Sequence, residues 1–429
     1  MINYTNYFVA GIDISSKSSV VTILSPNGEI YGKKLTITNN LSGFKKLHDI
    51  LVKIYSEHNI KTKIFMESTG LYHILLFNYF SKCGYECFVI NPIKTKNFAK
   101  QSIRKVKNDK IDSLRIAQLA QSPTFINDSI FDENFFILKK LCREYSSLIS
   151  QRAQYKKKLI SSLNIVFPNF SSLFSDPFSP IPLAILKRCP SYDIFLSTSK
   201  QEIVNLIIST VNHSKEWAEA KYNAILQVAL ECKELKISST ALNIEILCFV
   251  NIIDNLSLTS ESLLNHIKEF CKEIPLLEHN INLLCSHPEV GFISAVSLLA
   301  EIGNINNFKN AKKLVAFVGV DSTVCQSGNF NSTHNKLSKR GSNYCRKILF
   351  NLAIASIKTR RNGVAANPVL LSYYKKLCER RPKKVAICAV MHKLINHFFA
   401  ILRDQKPFEL RLPETHQKLY IDSNLKAIV

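Results

Sequence analysis

Tyr7-Phe8-Val9-Ala10-Gly11-Ile12-Asp13-Ile14, followed by Ser18-Ser19-Val20-Val21-Thr22-Ile23-Leu24, is the stretch that decides the fold. Both runs are short and largely apolar, and the second is rich in β-branched residues, so they read as strands. Pro26-Asn27-Gly28 makes a turn, and a third strand is expected over residues 29–37. The period then changes. Leu41, Phe44, Leu47, Leu51 and Ile54 share one helical face, which predicts a helix from Leu41 to about Tyr55. Further strands are expected over Lys63–Met66 and Glu86–Ile90, and helices over Leu71–Ser81, Lys94–Gln101 and Lys110–Gln121. Three meandering strands followed by alternating helix and strand is an α/β pattern.

Four acids punctuate these elements. Asp13 ends the first strand, and Glu67 ends Ile64-Phe65-Met66. Asp109 and Asp112 open a helix, spaced so that both fall on one face. Carboxylates drawn from several elements suit hard cations, and two Mg²⁺ ions can clamp both sides of a phosphodiester. Each acid also has an ordinary reading. Asp13 could cap a turn, Glu67 could pair with a nearby lysine, and Asp109 with Asp112 could form a capping box.

The charge balance agrees with a polyanionic partner. Lys and Arg number 56 against 33 Asp and Glu, a formal charge of +23. A chain rich in Lys, Ile and Asn can also reflect genome composition, but here the cations cluster. Lys94 to Lys110, which includes Lys105 and Lys107, carries seven cations against Asp109, and Lys358 to Lys384, which includes Arg380 and Arg381, carries nine against Glu379. The twelve cysteines form no Cys-x-x-Cys pair, and the start lacks a basic leader. Reduced thiols in a cytoplasmic protein are expected. No apolar run reads as long enough to span a membrane.

Residues 129–280 contain no glycine and read as long helices, among them Phe136–Leu163, a coiled-coil or bundle segment. A third region begins near Leu283. Helices are expected over Ile293–Glu301, Ala311–Phe317, Ile348–Ile357 and Lys384–Leu402. The first two read as an αα-hairpin that could offer helix N-termini to phosphates. Between them and the third helix lie a polar loop, Cys325-Gln326-Ser327-Gly328-Asn329, and a basic run, Leu337-Ser338-Lys339-Arg340-Gly341-Ser342-Asn343-Tyr344-Cys345-Arg346. Lys339, Arg340 and Arg346 are candidate phosphate contacts.

The strand and helix order resembles the ribonuclease-H-like fold of RuvC-type junction resolvases. The motifs narrow this. Gly11-Ile12-Asp13-Ile14-Ser15, Met66-Glu67-Ser68-Thr69-Gly70-Leu71-Tyr72, Val89-Ile90-Asn91-Pro92, Lys107-Asn108-Asp109-Lys110-Ile111-Asp112-Ser113, and the block from Pro288 to Arg346 resemble, in order, those of the DEDD transposases of insertion sequences, relatives of the Piv-type invertases. Pro288-Glu289-Val290-Gly291 departs from the family, which usually has a second glycine there. The resemblance implies a RuvC-like domain over residues 1–128, a helical or coiled-coil region over 129–282, and a mainly α transposase domain over 283–429. It implies that Asp13, Glu67, Asp109 and Asp112 hold Mg²⁺, two ions per site with Mn²⁺ able to substitute, and that Ser327 is the nucleophile. It implies donor and target DNA, a structured bridge RNA, a homo-oligomer (dimer or tetramer) with no membrane, and a bacterial, nucleoid-associated location. By chemistry alone, Ser322, Ser332, Ser338 and Ser342 compete with Ser327.

Other classes stay open. Gly11 to Ser19 also resembles the first phosphate loop of sugar kinases and actin-like ATPases, but neither a second Asp-Gly loop nor a Gly-Gly adenosine segment follows. A RuvC-like resolvase without the serine step, and a decayed transposase that only binds nucleic acid, are the remaining alternatives.

Overall fold

The structure is a computed structural model that describes residues 4–67, 71–90, 92–99, 109–122, 132–235, 242–323, 326–327, 330–331, 336–412, 414–415 and 417, with the backbone alone at 93, 99, 109–111, 326–327 and 330–331. Two compact units divide the chain, Met1–Glu133 and Asn134–Val429.

The first unit holds β1 (Phe8–Ile14), β2 (Ser18–Leu24), β3 (Leu35–Thr38), α1 (Leu41–His58), β4 (Thr62–Glu67), α2 (His73–Lys82), β5 (Cys87–Ile90), α3 (Pro92–Ala99) and α4 (Asp109–Gln121). The strands lie in the order β3-β2-β1-β4-β5. β1 pairs antiparallel with β2 and parallel with β4. Strand alternation sorts side chains between two faces. Ala10, Ile12, Ile14, Ile64 and Met66 join Phe44, Leu47, Leu51 and Ile54 of α1 and Leu76 and Phe80 of α2 in one core. Val9, Phe65 and Ile90 meet Ile116, Ala117 and Ala120 of α4 on the other face. Each fully buried Leu, Ile or Phe contributes about 1.5–3 kcal/mol.

Helix boundaries follow local chemistry. Asn40 caps α1 by accepting from Gly43 N at 3.0 Å. The helix runs past Tyr55 and stops where Asn59 turns left-handed. The third strand is shorter than the expected 29–37. Ile30 makes only an isolated bridge to Leu24, and the strand begins at Leu35. Gly32-Lys33-Lys34 offers no apolar face to bury, so the chain leaves the sheet there.

The second unit is helical. It comprises α5 (Glu133–Val166), α6 (Pro180–Arg188), α7 (Tyr192–Ser197), α8 (Lys200–Thr210), α9 (Lys215–Glu234), α10 (Leu242–Lys272), α11 (Pro275–Cys285), α12 (Phe292–Ile302), α13 (Ala311–Val318), α14 (Asn343–Ser356), α15 (Pro368–Cys378) and α16 (Lys383–Asp404), with the short strands β6 (Gln326–Ser327) and β7 (Phe330–Asn331) before α14. α5 and α10 run antiparallel. Ser162 donates to Glu245 at 2.9 Å, Tyr155 meets Phe249 at 5.9 Å, and Arg152 donates to Ser257 at 3.2 Å, so partner numbers rise as α5 is read backwards. One end of the pair joins a core containing Leu163, Phe167, Phe195 and Ile225. The other end brings Leu138, Cys142, Ile267 and Cys271 into a core with Leu299, Leu349, Leu394 and Phe398.

α10 and α16 are both long and apolar enough, by length and composition, to cross a bilayer. This corrects the expectation that no apolar run approaches that length. Both contribute to protein cores: α16 buries Val390, Leu394 and Phe398, and α10 buries Ile246, Val250 and Ile253. The described cysteines are free thiols.

Candidate functional site

In the first unit, three elements bring acids to one end of the sheet. In the register, Ile12 pairs with Met66, so Asp13 and Glu67 each follow a paired residue on neighbouring parallel strands. Asp13 shares its face with Val9, and Glu67 shares its face with Phe65, which is the side covered by α4. α4 crosses β1 at Gly11, where a Cβ would lie 2.5 Å from both Ala117 N and Ser113 O. The Ser113 and Thr22 hydroxyls stand 2.8 Å apart in the core, and Gln121 donates to Ser25 O at 2.8 Å. These two ties fix the direction of α4. Its last turn lies over the end of β2, and its first turn, with Asp109 and Asp112, points toward the end of the sheet where Asp13 and Glu67 stand. Thr95 of α3 donates to Glu67 Oε2 at 2.9 Å, and Arg115 Nη1 donates to Asp112 Oδ1 at 2.9 Å.

The donor set is oxygen-only, with no His or Cys among the four candidates, which is the chemistry of Mg²⁺ or Mn²⁺. Among the described side chains, no three acidic, His or Cys groups stand together at ligating distance. The Asp109 side chain lies outside those described, and Arg115 occupies one oxygen of Asp112. The four acids therefore fit a hard cation by residue type and by sheet end. Arg115 neutralises part of the carboxylate repulsion and bonds only Oδ1 of Asp112.

In the second unit, the loop expected around Ser327 is a hairpin. Ser327 pairs with Phe330 and Gln326 with Asn331, while Ser322 bridges Leu337 and Thr323 N donates to Lys336 O at 2.8 Å. Ser327 is thus the last residue of β6. The root is set by close backbone contact: a Cβ on Gly341 would fall 1.9 Å from Phe317 O, and Gly319 ends α13 at φ +74° beside Arg340 N. Lys339 N donates to Gly319 O at 3.2 Å, and the Ser338 hydroxyl is bonded to the Asp321 carboxylate. Ser342 caps α14 by accepting from Cys345 N at 3.3 Å. Two of the competing serines therefore have structural bonds, and Ser332 lies outside the described residues.

A transposase profile of the DEDD, IS110 type matches residues 10–168, and a second profile, described as the transposase IS116/IS110/IS902 family, matches residues 281–374. The chain belongs to the IS110-type transposase family. It is similar to the pilin gene-inverting protein of Moraxella bovis, 21% identical over 94% of this chain and 98% of that protein. The same protein of Moraxella lacunata is 20% identical over the same shares. A transposase for insertion sequence element IS1111A of Coxiella burnetii is 27% identical over 35% of this chain and 40% of its own length. The first profile spans all four candidate acids, and the second spans Ser327, Lys339, Arg340 and Arg346.

Placement of this transposase's cationic candidates is uneven. Lys105 and Lys107 lie outside the described residues. Arg340 and Lys339 are exposed at the hairpin root. Arg346 instead donates to Val318 O at 3.1 Å and Gly341 O at 2.6 Å, so it ties the root together. Arg380, Arg381, Lys383 and Lys384 are exposed around the α15–α16 turn, with no carboxylate partner among the described residues. Sequence reading missed Thr95, Arg115 and Asp321. Arg115 sits three residues after Asp112, a visible helical pairing. The Asp321–Ser338 bond had no local signal.

Proposed function

We propose that this transposase cuts and rejoins DNA through a serine–phosphate bond, guided by a structured bridge RNA and dependent on Mg²⁺ held by Asp13, Glu67, Asp109 and Asp112. What supports the reading is that Asp13 and Glu67 end neighbouring strands on the face covered by α4, whose first turn carries Asp109 and Asp112, within a chain whose second profile contains Ser327. The sheet order β3-β2-β1-β4-β5, with its antiparallel meander and parallel extension, supports a ribonuclease-H-like first domain over 1–128, ahead of a helical region and a transposase domain from 283. When bound, two divalent ions supply charge that stabilises the attacking and leaving oxygens of a phosphodiester.

The residues then divide the work. Thr95 orients Glu67, and Arg115 orients Asp112. The hairpin presents Ser327 beside a glycine, where a nucleic-acid backbone can approach closely. Ser327 Oγ attacks phosphorus and forms a P–O bond. The bond to the neighbouring sugar breaks, and that sugar leaves as an alcohol carrying the proton the serine gives up. The serine–phosphate link conserves bond energy, so rejoining needs no ATP. Bridge-RNA guidance and homo-oligomer assembly rest on the family resemblance alone.

The test is covalent trapping on DNA that flanks the chain's own reading frame, with the linked peptide mapped by mass spectrometry. Wild type should yield an adduct at Ser327. Ser327→Ala should bind DNA within about twofold and yield none. An adduct that persists in Ser327→Ala would move the nucleophile, first to Ser338 beside Asp321. Cleavage by wild type with no adduct would leave a metal-dependent junction nuclease.

A further inference from the structure

A cavity of about 180 Å³ opens between α5, α12 and α14, and neither the four candidate acids nor Ser327 lines it. Its wall includes Arg143, Tyr145, Ser294, Tyr344, Lys347 and Asn351. Glu301 lies at its base, only 5% exposed. Arg143 grips Glu301 with two bonds, 2.7 and 3.0 Å, and Lys139 approaches the same carboxylate at 3.4 Å. The Arg143 guanidinium also lies 4.8 Å from the centre of the Tyr344 ring. The guanidinium is therefore held by two bonds to Glu301 and sits over the Tyr344 ring. Its rotamer entropy is already lost, so stacking another ring against this assembly costs little ordering.

The local charge is not balanced. Lys139 and Arg143 outnumber Glu301, and among the described residues Lys347 at the wall meets only the Ser150 hydroxyl, at 3.4 Å. The cavity is smaller than the roughly 300–1,000 Å³ of sites for drug-sized ligands. A flat cation, tyrosine rings, Ser and Asn hydrogen-bonding groups and an unpaired ammonium are what a base and its phosphate require.

We propose that this cavity takes one unpaired base of a single-stranded nucleic acid, with the adjoining phosphate on Lys347. A base inside a duplex would first have to flip out, which selects for single strands. The inference rests on the reading of the chain as a nucleic-acid enzyme and adds a site that neither the acids nor the hairpin provides.

The test uses the full chain and fluorescein-labelled 12-nucleotide probes: single-stranded DNA, single-stranded RNA, the DNA duplex, and a DNA strand with one abasic position. Ser294→Trp fills the cavity from α12, and Lys347→Ala removes the charge. Each should weaken single-strand binding about tenfold, in line with one lost stacked base or phosphate contact, and leave duplex binding within twofold. The stronger of the DNA and RNA arms identifies the strand. Melting curves of Ser294→Trp and wild type are recorded alongside, which separates filling from misfolding. Equal single-strand binding by Ser294→Trp and wild type, with matching melting curves, would overturn the proposal. The adduct assay at Ser327 reports separately on the functional reading, so the two can fail independently.

Discussion

Gly11 is the residue on which the acidic end of the sheet depends. Any side chain there would strike backbone atoms of α4, Ala117 N and Ser113 O at 2.5 Å, and backbone cannot rotate away. Gly11→Val should cost about 1–3 kcal/mol of overpacking or displace α4 with Asp112. The expected result is a lower melting temperature of the chain together with loss of strand cleavage; cleavage at the wild-type rate would contradict the placement of α4. His287 makes a second prediction. It is 1% exposed, both ring nitrogens lack a hydrogen-bond partner among the described residues, and Phe408, Phe398 and His397 surround it at 4.4, 5.6 and 5.7 Å. Burial first, and then the neighbouring His397, push its pKa down to about 3. The unfolded chain takes up this proton near pH 6.5 while the folded chain refuses it, so stability is full above that pH and falls from about 6.5 toward 3. The slope is at most about 1.4 kcal/mol per pH unit. Urea midpoints at pH 7, 5.5 and 4.5 should fall, and His287→Phe should flatten the fall; parallel profiles would rule out this histidine as the cause. Asp13 and Glu67 were legible as strand-ending acids because polar residues at the end of apolar runs stand out. Thr95 and Arg115 were not singled out, because ordinary helix-surface residues acquire their roles only when α3 and α4 meet the sheet.

Among the elements, α4 and the β6–β7 hairpin each carry candidate site residues, and they were legible to different degrees. α4 was expected from Lys110 and begins at Asp109, because acids at a helix start complement its dipole. The hairpin was read as a polar loop because two-residue strands show no alternation, and its root is set by Gly319 and Gly341, far apart in sequence. α14 starts at Asn343 rather than Ile348, since Ser342 caps it and Gly341 sits outside it. The turn between α15 and α16 gathers Arg380, Arg381, Lys383 and Lys384 with Glu379 as the one acid in the run. If it touches a nucleic-acid backbone, reversing these four charges should reduce the log–log salt slope of duplex binding by about 0.9 per contacted phosphate. Filter binding from 50 to 300 mM salt measures it, and an unchanged slope would make this turn a solvated face.

For the whole molecule, the +23 charge pointed to nucleic acid, and the absence of glycine over residues 129–280 pointed to long uninterrupted helices, which α5 and α10 are. The antiparallel pairing of those helices and the separate core built by α6 to α9 were not legible, since contacts such as Arg152 with Ser257 join residues more than a hundred apart. The two family profiles leave residues 169–280 between them, and that segment supplies most of this separate core. The central claim is that acids from β1, β4 and α4 hold a divalent ion. Electron paramagnetic resonance of Mn²⁺ titrated into the metal-free chain tests it most directly, because free and bound ions give different signals and no turnover is needed. Wild type should deplete the free-ion signal at a saturable site, and Asp13→Asn and Glu67→Gln should each weaken that binding at least tenfold while retaining the wild-type melting curve. Equal Mn²⁺ binding by wild type and both variants would contradict the account.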